Sequence, residues 1–78
     1  MQKNSLSKDT KIKELRTELS SLRRKRDEII LEKGLLAQDN KDLRENAAYI
    51  EYEQKEHAIT SKIHAIMNEI YELSKRKQ

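Results

Sequence analysis

Gln38-Asp39-Asn40-Lys41-Asp42-Leu43 is the stretch on which the fold turns. It is polar and falls between two long runs of regular apolar spacing. Asp and Asn side chains bond readily to their own backbone, and Asn tolerates the left-handed conformation that ends helices, so this stretch supplies turn chemistry. A chain that turns here folds back on itself as a hairpin; one that does not is a single long helix.

Upstream, Ile12, Leu15, Leu19, Leu22, Arg26, Ile29, Lys33 and Leu36 recur at spacings of three and four, the a/d pattern of a heptad seam. Downstream, Tyr49, Tyr52, Glu56, Ile59, Ile63, Ile66, Ile70 and Leu73 do the same. The spacing predicts a helix over about 8–38, a turn over about 39–42 and a second helix over about 43–75. The expected fold is therefore all-α, an antiparallel two-helix coiled-coil hairpin with an acidic tip. Ser5 or Ser7 is available to cap the first helix, and Asp9 suits its positive N-terminus. Gly34 lowers helix propensity by about 1 kcal/mol relative to Ala and makes the distal half the softer one. A turn centred near residue 41 brings Arg26 to Glu56, predicting a partly buried ion pair that helps set register.

Composition excludes several classes. In 78 residues there are no Pro, Cys, Trp or Phe and one Gly, with 40% charged residues. A helical seam needs apolar residues at only two positions in seven, which such a composition can meet and a compact core cannot. Without Cys there is neither a disulfide framework nor a thiolate metal site. No apolar run approaches the roughly 20 residues of a membrane span, and the N-terminus lacks the apolar core of a signal peptide; a cytoplasmic protein is expected.

Charge is uneven. Residues 1–26 carry a net +6 and residues 27–56 a net −5, so a hairpin would be basic at its free end and acidic at its turn. Arg23-Arg24-Lys25-Arg26 wraps the circumference of the first helix; Arg23, Arg24 and Lys25 form a candidate patch for RNA phosphates, or a solvated face. His57 and His64 are about 10 Å apart along a helix, too far to share one metal ion. Tyr49, Tyr52 and Tyr71 fall at seam-like positions and read as packing residues with a wet hydroxyl.

Asp42 and Glu45 admit two chemistries. Asp-x-x-Glu is a capping box, and two carboxylates three residues apart on a first helical turn can also hold a hard cation such as magnesium. Spacing alone favours the cap. The longer segment Asp42-Leu43-Arg44-Glu45-Asn46-Ala47-Ala48-Tyr49, preceded by Ala37-Gln38-Asp39-Asn40-Lys41, reverses that preference. It resembles the tip signature of the Gre family of bacterial transcript-cleavage factors, Gly-Asp-Leu-x-Glu-Asn-Ala-x-Tyr. Lys13-Glu14-Leu15-Arg16-Thr17-Glu18-Leu19 and Arg26-Asp27-Glu28-Ile29-Ile30 likewise resemble the family's Leu-x-x-Glu-Leu and Arg-Pro-Glu-Ile-Ile segments. The likeness spans roughly residues 12–73.

The resemblance implies a hairpin that enters the secondary channel of RNA polymerase. There Asp42 and Glu45 would help hold the second Mg2+ and orient water to hydrolyse the 3′ end of backtracked RNA, with Asn46 and Tyr49 supporting the tip. The polymerase, not this chain, would be the enzyme. Two departures stand out: Lys41 replaces the family Gly, and Asp27 replaces the family Pro. Gre factors carry a C-terminal globular domain, which a single hairpin domain over 1–78 lacks, so the expectation is either an isolated N-terminal domain of that family or a one-domain relative with different anchoring. Lys41 beside the carboxylates leaves open a channel-binding inhibitor of the polymerase. A structural coiled-coil module, pairing Ile59–Leu73 between chains, is a further alternative; self-association is possible but not required.

Overall fold

The computed structural model describes residues 8–39 and 46–75. They form two helices, α1 (Lys8–Asp39) and α2 (Ala47–Lys75), packed against each other as an antiparallel hairpin. The molecule measures 58 × 15 × 15 Å, a rod only two helices wide. Among the described residues no helix is long and apolar enough to cross a membrane.

Each helix buries the stripe that its spacing predicts. Every position of the two seams, from Ile12 to Leu36 and from Tyr49 to Leu73, is buried or half-buried. The tightest packing is in the basal half, where Leu15, Leu19, Ile63 and Ile66 form the core and Leu22, Ile59, Ile70 and Leu73 pack around it. Ile63 is the most enclosed at 2% exposure. Burying four aliphatic side chains, at about 1.5–3 kcal/mol each, is a small reserve for a chain of this length. The distal half has no fully buried residue among those described; its seam carries Arg26, Lys33 and Glu56, and Ile30, Leu31 and Leu35 are exposed. Tyr49 and Tyr52 are half-buried as expected, but Tyr71 is not a seam residue: it is exposed, with the Lys75 ammonium 5.2 Å from its ring centre.

The second helix starts later than expected, at Ala47 rather than near Leu43. Asn46 lies outside the helix, and its carbonyl accepts the amide of Ile50 at 3.1 Å while its side-chain oxygen accepts the amide of Tyr49 at 3.0 Å. Those two bonds define an N-cap. The returning arm is shifted relative to a turn centred near residue 41, and Glu56 meets Lys33 rather than Arg26.

That shift overturns the Arg26–Glu56 pair. Side chains lean toward the N-terminus of their own helix. In an antiparallel hairpin, α1 side chains therefore lean toward the free end and α2 side chains toward the turn. Arg26 and Glu56 lean apart, whereas Lys33, two turns nearer the tip than Arg26, leans toward Glu56 and Glu56 leans toward it. Lys33 Nζ reaches Glu56 Oε1 at 2.8 Å. Arg26 keeps its place in the seam, but its Nε is shielded from solvent without a hydrogen-bond partner.

Candidate functional site

The tip carboxylates Asp42 and Glu45, with Lys41, lie outside the described residues, as do the candidate caps Ser5 and Ser7. Their flanks are described. On one side α1 is described as far as Asp39; on the other, Asn46 caps α2 through the Tyr49 amide. Of the two residues expected to support the tip, Asn46 thus closes the helix from which the tip segment departs, and Tyr49 is both its capped amide and the first aromatic of the α2 seam.

Behind this cap stands a cluster that the periodicity did not single out. Lys33 Nζ lies 2.8 Å from Glu56, 3.9 Å from Glu53 and 5.4 Å from the centre of the Tyr49 ring. Tyr49, Glu53 and Glu56 are one turn apart in sequence on α2, so one cation of α1 is held by three successive turns. The hydrogen bond from Lys33 to Glu56 raises the lysine pKa above its ordinary 10.5, against the opposing effect of burial. The side chains of Lys33 and Glu56 retain only 21% and 28% exposure, which sets this pair apart from Lys55–Glu51 and Lys75–Glu72 on the open surface. Exposed pairs of that kind contribute little. The available signal for Lys33 was its place, like that of Arg26, in a mostly apolar seam; its partner depended on register.

The basic run does not form one face. Arg23, Arg24 and Lys25 are all exposed. Arg23 Nη2 approaches Met67 Sδ at 3.9 Å along one edge of the hairpin. Lys25 lines a shallow groove on another part of the surface with Ile29, Tyr52, Lys55 and Ile59, where the Lys55 ammonium sits 5.2 Å from the Tyr52 ring centre. Arg26, the fourth cation, turns into the seam. Consecutive helical residues are about 100° apart, so the run disperses around α1.

His57 and His64 are exposed, as flanking residues would be. Among the described residues no group of three or more His, Cys, Asp or Glu side chains is arranged to hold a metal ion. Set against known protein families, curated proteins and solved structures, the chain matches none.

Proposed function

We propose that this chain is a transcript-cleavage factor domain of the kind its tip segment resembles, acting in the cytoplasm on RNA polymerase. The narrow rod would enter the secondary channel and carry Asp42 and Glu45 to the active centre of a backtracked complex. One positional observation supports the proposal: the Gre-like motif, Asp42 to Tyr49, runs from the connection between the two helices into the first turn of α2, in a hairpin 15 Å across.

The cap at Asn46 adds support. With the Tyr49 amide bonded to Asn46, the observed start of α2 does not require a side chain of Asp42 or Glu45. Two carboxylates are hard oxygen donors of the type that Mg2+ prefers. In a two-metal centre that ion stabilises charge on an attacking or leaving oxygen. Asp42 and Glu45 would supply negative charge and orient water, and the exposed Arg23, Arg24 and Lys25 are available to RNA phosphates. The chain itself would not be an enzyme. The Ile59–Leu73 stripe that an oligomerisation module would offer to another chain packs instead against α1 of the same chain.

The test is cleavage of RNA by a stalled, backtracked polymerase, with the parent chain and with Asp42→Asn and Glu45→Gln. Both amides can still act in a cap, and neither supplies the charge. Either substitution should abolish stimulation at limiting magnesium, with partial recovery as magnesium rises, while thermal stability barely moves. Equal stimulation by parent and variants would defeat the proposal; binding to the polymerase without stimulation by the parent would instead assign the inhibitory role that Lys41 permits.

A further inference from the structure

We infer that Lys33 is a positioning residue for the tip: its ammonium, clamped by Tyr49, Glu53 and Glu56, holds the two arms in register behind the connecting segment. The inference deepens the proposed function, since it assigns to a residue outside the tip motif the job of aiming the tip carboxylates.

Three observations carry it. The fully buried aliphatic core, Leu15, Leu19, Ile63 and Ile66, lies wholly in the basal half, more than two helical turns of α1 from Lys33. Distal to it the seam is charged or aromatic at Arg26, Lys33, Tyr49, Tyr52 and Glu56, all only half-buried, so aliphatic packing there is thin. Within this weaker half, Lys33 binds across to α2 at 2.8 Å and its ring contact is Tyr49, the very residue whose amide Asn46 caps. A chain of direct contacts therefore runs from Lys33 through Tyr49 to Asn46, the residue at which the connecting segment joins α2.

Register makes that chain consequential. An a/d seam restores its contacts when one helix slides by a heptad, so apolar packing alone specifies the axial position of the arms poorly. A hydrogen-bonded cation in the seam fits one register, because sliding strips it of its partners at the cost of an unpaired, partly desolvated charge. Arg26 cannot serve in this way, since its shielded Nε has no partner to lose. Displacing reacting groups by about 1 Å can cost on the order of a hundredfold in rate, so an unclamped tip should be a poor stimulator even when the rod still binds.

The absence of Cys allows paired spin labels to be placed without background thiols. One pair, at Leu35→Cys and Ala48→Cys, reports on the distal arms; another, at Lys11→Cys and Ser74→Cys, reports on the base. All four sites are exposed. In Lys33→Met the distal distance distribution should broaden while the basal one stays narrow, and Arg26→Met should broaden neither. With backtracked polymerase, Lys33→Met should lower the maximal cleavage rate roughly ten- to a hundredfold while leaving the half-saturating concentration of the chain unchanged. Lys33→Arg, and the exchange Lys33→Glu with Glu56→Lys, should restore both readouts. Glu56→Gln, which keeps volume and an acceptor oxygen, should fall between parent and Lys33→Met.

A distal distribution in Lys33→Met as narrow as in the parent overturns the inference, as does failure of the exchanged pair to narrow it again. Broadening of both pairs would make Lys33 a determinant of the whole fold rather than of the tip, and overturns it too. If the parent chain stimulates no cleavage, the proposed function fails, while the label distances still decide whether Lys33 holds the distal arms.

Discussion

The side-chain oxygen of Asn46 accepts the backbone amide of Tyr49 at 3.0 Å, closing the N-terminus of α2 at the first aromatic of its seam. An amide three residues into a helix has no intrahelical acceptor, so this bond satisfies a donor that would otherwise need water. Replacing Asn46 with Ala should cost about 1 kcal/mol of stability, whereas Asn46→Asp should cost little, because its carboxylate accepts the same amide and suits the positive helix end. Urea denaturation followed by helical circular dichroism measures both. An Asn46→Ala midpoint equal to the parent's would mean that the cap contributes nothing.

Ile63 is the most enclosed side chain of the hairpin and faces Leu15 and Leu19 from the opposite helix. Ile63→Ala removes buried aliphatic volume and leaves a cavity, at a cost of about 2–5 kcal/mol. A rod with so small a core has little stability to lose, so this variant should be largely unfolded at 37 °C. Leu31→Ala, at a site 63% exposed, should by comparison barely shift the melting curve.

Two substitutions should stabilise the distal half. Gly34 lies within α1 with open space where a Cβ would project, so Gly34→Ala should add about 1 kcal/mol through helix propensity alone. Arg26→Met keeps an unbranched side chain in the seam and removes a shielded, unpartnered Nε, which should add about 1 kcal/mol. Because the two sites share no partner, the gains should be additive in the double variant. A loss of stability on Arg26→Met would show that its guanidinium finds a partner in solution.

Alkaline pH should weaken the clamp at Lys33. Its pKa in the folded chain lies above the ordinary 10.5, chiefly because Glu56 hydrogen-bonds the charged form. A raised folded-state pKa means that the stabilisation is complete below 10.5 and is lost as pH rises through the folded-state value. Comparing the parent with Lys33→Met from pH 9 upward separates this from the titration of other groups: the stability difference between them should hold steady at first and then shrink above about pH 10.5. A difference independent of pH would place the contribution of Lys33 in packing instead of charge.

The hairpin was legible in the sequence because burial in a helix repeats every three to four residues, and every seam position from Ile12 to Leu73 proved buried or half-buried. The Gre-like tip motif is likewise a property of the sequence alone. Tyr71 was misplaced because an aromatic residue adjoining a seam residue mimics the stripe; the Lys75 side chain covers its ring from the outside.

What only the tertiary structure decided is register and everything that depends on it. A periodic stripe meets another at several axial offsets with similar apolar burial, so spacing cannot say which charges face each other. The late start of α2 at its Asn46 cap, together with the opposite lean of side chains on antiparallel helices, turned Glu56 from Arg26 to Lys33. Among the described residues, the cross-helix ion pairs thus belong to Lys33, which stands in the sequence only as a charged residue in the seam.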